Sequence, residues 1–124
     1  MDPYIISEDK KTFITTHGQI TFQDEIANVL TLSNVWVVHL ENIEYKNGQP
    51  SWNMTKQPSN NIYGVDKYCK IIWNIGQIIV NPSDDHYSIP KKLSDNTFTT
   101  TGFWGFTYAI DIPTLSVVDT KWTK

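Results

Sequence analysis

The sequence predicts a mainly β protein, arranged as an antiparallel meander or compact sandwich with one short helix, and formed as a single domain over residues 1–124. The strongest observation is the alternation of large apolar side chains along residues 102–111. Period-two alternation places such side chains on one face of a strand. A second observation is a strand–turn–strand pattern around an Asp that occurs twice. The third is composition, because 40% of the residues are hydrophobic, which is typical of a folded globular chain.

The first third of the chain predicts a hairpin and a central strand. Residues 11–16 and 20–22 are β-branched or apolar runs on either side of His17-Gly18, which favours a hairpin turn. Residues 35–40 are apolar on both faces, so a strand there is expected to be covered on two sides. His39 lies on this strand and is expected to be a core histidine with one hydrogen-bond partner.

Residues 22–31, between the hairpin and the central strand, predict the one short helix. Thr21 is a candidate N-cap, with Asp24 three residues later in the capping-box position. The apolar positions follow the spacing of one helical face: Phe22, Ile26, Val29 and Leu30.

The second half of the chain predicts two further strand pairs. Residues 60–65 and 70–80 form the first pair around a turn, with a bulge expected at Gly76. The aromatic strand at 102–111 pairs with residues 116–122 through a tight turn that contains Pro. The aromatic side chains on these strand patterns are expected in the core: Trp36, Trp73, Trp104, Phe106 and Tyr108.

Two of these hairpins carry a repeated motif. Residues 63–66 read Tyr-Gly-Val-Asp and are followed by Ile-Ile-Trp at 71–73, while residues 108–111 read Tyr-Ala-Ile-Asp. This pattern resembles the repeat of quinoprotein-type β-propellers, in which a strand of the form Tyr-Ala-Leu-Asp precedes a turn and a strand ending Leu-Leu-Trp. Cys69 and Leu115 stand where that repeat has Gly.

The resemblance is to short bacterial proteins that carry such repeats. A closed propeller needs at least about four blades of four strands, which this chain cannot supply. The resemblance therefore implies a free-standing domain with propeller-blade-like hairpins. It implies no quinone site, because the cofactor of those proteins is held by a closed ring of blades.

Composition argues against several classes of partner. The net charge is −3 and all basic residues are Lys, whereas Arg is the preferred group for phosphates and guanine edges, so no nucleic-acid partner is expected. Cys69 is the only cysteine, which excludes an intrachain disulfide. The sequence contains no run of about 18 apolar residues, so it predicts no membrane span. The acidic N-terminus does not resemble a signal peptide, so a cytoplasmic protein is expected.

The motifs of common enzymes are missing from the sequence. No Gly-x-Ser-x-Gly elbow or phosphate-binding loop occurs, so the sequence predicts neither an enzyme nor a bound cofactor. The one cluster that combines carboxylates with an imidazole is Asp84-Asp85-His86. Adjacent residues on a loop rarely hold a metal without a distant third ligand, so a solvated acidic turn is the favoured interpretation and no metal site is expected.

Two long polar connections, residues 41–59 and 81–95, are the candidate functional segments. They carry aromatic and acidic side chains that suit a recognition surface. The expected partner-binding residues are Trp52, Asp84, Asp85, His86 and Tyr87. The hypothesis is a non-catalytic cytoplasmic protein-binding domain, and most specifically an immunity protein that occludes the active site of a basic toxin.

Two alternatives from other classes stay open. Trp52 and Tyr87 could be stacking platforms of a carbohydrate-binding β-domain, or they could fold back over sheet edges as lids. The Asp84-Asp85-His86 cluster could serve a small metal-dependent hydrolase if a distant ligand converged on it.

Overall fold

The computed structural model describes residues 2–80 and 84–123, and this part of the chain is mainly β, as predicted. All strand pairs are antiparallel. The strands of the described residues are β1 (Ile5–Ile6), β2 (Thr12–Thr15), β3 (Gly18–Thr21), β4 (Glu25–Thr31), β5 (Trp36–Glu41), β6 (Glu44–Lys46), β7 (Gln49–Ser51), β8 (Ile62–Val65), β9 (Ile71–Asn74), β10 (Lys91–Ser94), β11 (Thr97–Thr101), β12 (Phe106–Asp111) and β13 (Ser116–Trp122). The helical elements are a 3-10 turn at Met54–Lys56 and the single-turn helix α1 (Ile75–Ile78).

Three sheets form the framework. The N-terminal sheet has the order β1-β2-β3, the central sheet β4-β5-β8-β9, and the C-terminal sheet β10-β11-β12-β13, while β6 and β7 form a separate hairpin. The predicted N-terminal hairpin is confirmed, with Phe13 opposite Ile20 in β2 and β3. None of the helices in residues 2–80 and 84–123 has the length and apolar character needed to cross a membrane.

The central sheet is buried on both faces, which confirms the prediction for residues 35–40. On one face, Trp36 packs edge-on against Phe13 of the N-terminal sheet, with ring centroids 5.2 Å apart. On the other face, Trp73 stacks on Phe98 of the C-terminal sheet at 6.0 Å. The alternation along β5 therefore supplies two separate cores, one on each side of the sheet.

The helix predicted at residues 22–31 is wrong, because this stretch contains β4. Ile26 lies opposite Leu40 and Val29 lies opposite Val38, with a β-bulge between the two pairs. The bulge inserts one extra residue into β4, so two side chains on the same face are three positions apart instead of two. That spacing imitates one face of a helix.

The strand predicted over residues 70–80 is also wrong in its second half. β9 ends at Asn74, whose side chain accepts a hydrogen bond from the Gly76 amide at 2.9 Å. The side chain of Gln77 accepts from the Asn74 amide at 2.8 Å, which completes a capping box and starts α1. Gly76 therefore lies inside a helical turn and not in a β-bulge.

Residues 102–111 do not form one continuous strand, and Trp104 and Phe106 are not core residues. The Gly105 amide bonds to the Gly102 carbonyl at 2.9 Å in the turn that joins β11 to β12, and Trp104 on this turn is 59% exposed. Phe106 is also exposed, at the start of β12. The first residues of this segment form a turn and not a strand. The alternating pattern therefore cannot bury side chains at both ends of the segment. The buried side chains of the segment are Tyr108, Ala109 and Ile110.

The two repeated Asp residues both stabilise turns, as expected. Asp66 accepts hydrogen bonds from the amides of Tyr68 and Lys70, and Asp111 accepts from the amide of Thr114. Each turn then contains one non-glycine residue with positive φ, at Cys69 (φ 62°) and at Leu115 (φ 48°). The two hairpins thus share the position of the Asp and of a left-handed residue near the end of the turn.

Candidate functional site

The two long connections and the β11–β12 turn border two adjoining open cavities near the end of β5. The first, about 310 Å³, is lined in part by Glu41, Trp52, Met54, His86 and Phe103. The second, about 160 Å³, shares three of these residues and adds Asp84, Asp85 and Trp104 among others. We refer to the two cavities and their lining residues as the aromatic cleft.

An ion pair lies in the cleft. His39 and Glu41 are two residues apart on β5, so both side chains project from the same face. Nε2 of His39 is 3.3 Å from one carboxylate oxygen of Glu41, and Nε2 of His86 is 3.0 Å from the other. One carboxylate thus joins an imidazole of the central sheet to an imidazole of the 84–90 connection.

The hydrogen-bond network assigns the protonation of the His86 imidazole. Nδ1 of His86 is 2.9 Å from the Pro58 carbonyl oxygen while its Nε2 faces Glu41. Because both nitrogens face oxygen acceptors, both carry a hydrogen and the ring is an imidazolium. In His39, Nε2 is 2.9 Å from the Tyr87 carbonyl oxygen and Nδ1 is 3.3 Å from the side-chain nitrogen of Asn28.

The pKa values of the pair agree with this assignment. Burial alone would raise the pKa of Glu41, but the hydrogen bonds and charge of His39 and His86 outweigh it and lower that pKa to about 2. Burial alone would lower the pKa of His86, but its bonds to Glu41 and Pro58 and the nearby charges raise it above the ordinary value. The charged forms of both partners are thus favoured in the folded protein.

Buried polar side chains fix the segment that carries His86. In the described residues they are His39, Asn61, Asp85 and Thr100. The side chain of Asn61 accepts from the Tyr87 amide at 2.8 Å and donates to the Tyr87 carbonyl at 2.9 Å, which His39 also contacts. Since a buried polar group is costly unless it is bonded, these contacts hold the backbone at Tyr87 in one position.

Asp85 and Thr100 fix the two ends of the same segment. Asp85 accepts from the His86 amide at 2.8 Å and from the Phe103 amide at 3.1 Å, and Thr100 donates to the Ser88 carbonyl at 2.8 Å. A Cβ on Gly102 would lie only 2.2 Å from the Asp85 carboxylate. Glycine at this position therefore lets the β11–β12 turn approach the carboxylate, and the turn presents Phe103 to the cleft.

The walls of the cleft are apolar side chains that stay half exposed. Trp52, Met54, Phe103 and Trp104 are each more than a third exposed, and the rings of Phe103 and Trp104 make an edge contact at 5.7 Å. Gln57 fixes the segment that carries Trp52 and Met54. Its side-chain oxygen accepts a hydrogen bond from the Asn42 amide, and its side-chain nitrogen donates one to the Asn42 carbonyl. These side chains are thus exposed to solvent, while hydrogen bonds hold the segment that carries Trp52 and Met54 in place.

The structure brings together most, but not all, of the residues predicted for partner binding. Trp52, Asp84 and His86 line the cleft, and Asp84 is exposed to solvent. Asp85 also borders it, but its carboxylate is buried and bonds to backbone amides, so the prediction of a solvated acidic turn is wrong for this residue. Tyr87 is only 1% exposed, which corrects its prediction as a surface anchor.

The burial of Tyr87 has a clear physical reason. It forms an isolated bridge with Gly102 of the C-terminal sheet, and its ring meets Tyr108 edge-on at 6.2 Å. Tyr87 therefore packs between the central and C-terminal sheets. This position resembles the alternative in which its side chain folds back over a sheet edge. Residues 81–83 of the same predicted connection lie outside the described residues.

Several residues of the cleft were not predicted from the sequence. The sequence predicts Glu41 at the boundary of a loop, although its spacing of two from His39 is a signal that both share a face. Phe103 and Trp104 fall within the strand that the sequence predicts over residues 102–111. Met54 gives no signal that sequence reasoning could use. His39 has several partners, not the single one expected.

The Asp84-Asp85-His86 cluster does not converge with a third distant ligand. In the part of the chain that the structure describes, no group of three or more His, Cys, Asp and Glu side chains is arranged to hold a metal ion. Both nitrogens of His86 already face Glu41 and Pro58. Asp85 is engaged by backbone amides. The polar groups of Asp85 and His86 thus serve the structure of the cleft.

Comparison with known proteins gives a family without an assigned activity. No curated protein and no solved structure matches the chain. A family model described as a domain of unknown function, DUF7957, matches residues 4–122, a range that includes all three sheets and the whole of the cleft. The chain therefore belongs to the DUF7957 family.

Proposed function

We propose that the protein is a non-catalytic protein-binding domain and that the aromatic cleft is its contact surface. The observation that carries the proposal is the group of exposed apolar side chains around the cleft: Trp52, Met54, Phe103 and Trp104. Trp, Phe and Met are enriched at protein–protein interfaces, and Trp is prominent among the residues that dominate binding energy. Exposing four of them side by side is unfavourable in water unless a partner covers them.

The support beneath the cleft favours binding for a second reason. The Glu41–His86 pair and the Asn61 and Asp85 hydrogen bonds hold both walls in place before any partner arrives. A preorganised surface loses less conformational entropy on association, so more of its contact energy appears as affinity.

For the partner, we propose a basic protein, and specifically a toxin whose active site this domain occludes. The net charge of −3 and the exposed Asp84 beside Trp104 suit such a partner. Charge complementarity mainly raises the association rate, while aromatic anchors slow dissociation. An inhibitor of this kind combines both.

Alanine variants of the cleft test this proposal. The partner is isolated by pull-down from the native cell or by co-expression with neighbouring gene products, and the binding rates are measured by surface plasmon resonance. Trp52→Ala and Trp104→Ala should each weaken binding by about 2 kcal/mol, chiefly through faster dissociation. Both side chains are exposed, so the stability of the fold should change by less than about 0.5 kcal/mol.

Tyr68→Ala provides the matched control, because Tyr68 is equally exposed but lies on the β8–β9 turn outside the cleft. Its affinity should equal that of the wild type. If the two Trp variants also bind like the wild type, the contact surface lies elsewhere. The toxin part is tested separately: the partner alone should inhibit cell growth, and co-expression of this protein should restore it.

A second candidate is carbohydrate binding, favoured by the presence of Trp52, Phe103 and the Glu41 carboxylate in one cavity. Aromatic faces stack on sugar rings and carboxylates accept hydroxyl hydrogens. A glycan array discriminates the two candidates. Binding to a defined glycan that Trp52→Ala abolishes would favour this candidate over a protein partner.

A further inference from the structure

The last strand, β13, presents a long exposed edge. The C-terminal sheet has the order β10-β11-β12-β13, so β13 has a hydrogen-bonded neighbour on one side only within the described residues. It spans seven residues, and its last five are exposed. A bulge at Val118 interrupts the strand, so the regular edge that offers unpaired backbone groups to another strand is residues 119–122.

The register against β12 identifies which backbone groups point outward. The Thr123 amide donates to the Gly105 carbonyl, and Trp122 lies opposite Phe106. Hydrogen-bonded and non-hydrogen-bonded pairs alternate in an antiparallel ladder, so the backbone groups of Lys121 and Asp119 also face β12. The backbone groups of Thr120 and Trp122 therefore point away from the sheet.

The side chains of β13 are complementary to themselves in one register. If two copies of β13 pair antiparallel with Thr120 opposite Thr120, then Asp119 lies opposite Lys121 of the second copy, while Val118, the extra residue of a bulge in β13, takes no part in the match. Residues directly opposite share a face and lie close enough for ion pairs and apolar contacts. The match in this register is therefore the pair of Asp119–Lys121 contacts on either side of Thr120.

The neighbouring registers lack this match. Two copies of β13 can pair only through the backbone groups that point outward. The register can therefore shift only in steps after which the backbone groups of Thr120 and Trp122 still face the partner. The two adjacent registers place either Asp119 opposite Asp119 or Lys121 opposite Lys121, which is unfavourable. The charge pattern thus selects a single twofold arrangement.

We propose that two copies of this chain associate through β13 in an antiparallel pair whose twofold axis passes at Thr120, which joins two C-terminal sheets into one continuous sheet. A twofold dimer is the commonest symmetric assembly, and strand addition at a sheet edge is a recurring mode of association. This inference is independent of the function proposed for the cleft, because no residue of β13 lines it.

Charge reversal tests the register directly by sedimentation velocity over a range of concentrations at low ionic strength. The wild type should shift from one chain to two as its concentration rises. Asp119→Lys and Lys121→Asp should each weaken self-association about tenfold or more, because like charges then oppose each other twice across the axis. An equimolar mixture of the two variants should restore dimerisation, since every opposed pair again has opposite charges.

The mixture also separates the proposed contact from the contact within the chain, where Nζ of Lys121 is 3.8 Å from Asp119. Neither variant can form that internal pair, so restored association on mixing can only come from contacts between chains. Thr120→Pro is a second variant, because it deletes an outward amide without removing a hydrogen bond to β12. It should abolish the dimer and keep the circular dichroism of the wild type.

Three results would overturn the proposal. The first is a wild type that stays monomeric up to its solubility limit. The second is a dimer that both single charge variants retain at wild-type strength. The third is a mixture that associates no more tightly than either variant alone.

Discussion

Each carboxylate oxygen of Glu41 lies close to an imidazole nitrogen, at 3.3 Å from Nε2 of His39 and at 3.0 Å from Nε2 of His86. His39 continues to the Tyr87 carbonyl, and His86 continues to the Pro58 carbonyl. A change at Glu41 should therefore affect the 84–90 connection and the loop around Pro58 together.

The pH dependence of stability follows from this pair. The pKa of Glu41 is lowered from 4.5 to about 2, so its contribution is present above pH 4.5 and is lost as the pH falls towards 2. The pKa of His86 is raised above 6.5, so its contribution is full below 6.5 and is lost as the pH rises through the raised value. The pair should stabilise the fold most between pH 4.5 and 6.5.

Glu41→Gln measures this contribution by denaturant unfolding across the pH range. The variant should lose about 2 kcal/mol in the window where both partners are charged, because a charged imidazole is left without its carboxylate. The difference from the wild type should shrink at higher pH. Glu44→Gln is the control, since Glu44 pairs with the exposed Lys56 and its curve should follow the wild type. A constant difference at all pH values would contradict the assignment of the ion pair.

At the scale of the elements, the sequence predicts strands well wherever side chains alternate without interruption. The strands at 35–40 and 116–122, the N-terminal hairpin and both Asp turns are all present. The failure at β4 comes from a bulge, which changes the spacing of apolar residues without leaving a local signal. The prediction for residues 102–111 is wrong for a different reason. The alternating pattern does not distinguish the turn from the strand that follows it.

α1 is a single turn, too short for a periodic pattern, and its cap is the one feature that defines it. Asn74→Ala removes the bond to the Gly76 amide and those from the Asn74 side chain to the carbonyls of Asn60 and Ile62. Thermal unfolding should therefore show a loss of about 1–2 kcal/mol. Asn53→Ala is the control, because Asn53 caps an exposed 3-10 turn without long-range bonds. Equal losses in the two variants would contradict a special role for the Asn74 cap.

In the whole molecule, the central sheet shares one core with the N-terminal sheet and a second core with the C-terminal sheet. The cleft lies at one end of β5. Its walls come from residues 52–57, 84–86 and 103–104, which are far apart in the sequence. The acidic and aromatic composition of the long connections indicated Trp52, Asp84 and His86. Composition could not reveal that Tyr87 turns inward or that Phe103 turns outward, since both depend on the packing of the sheets.

The central claim is that the aromatic cleft contacts a protein partner, and hydrogen–deuterium exchange of the complex tests it most directly. Binding should slow exchange in the amides of residues 52–57, 84–88 and 102–105, while β1, β2 and β3 should exchange as in the free protein. The protection should weaken in Trp52→Ala at the same partner concentration. Protection confined to the N-terminal sheet or to the exposed Ile71 and Ile72 of β9, with the cleft unchanged, would contradict the account.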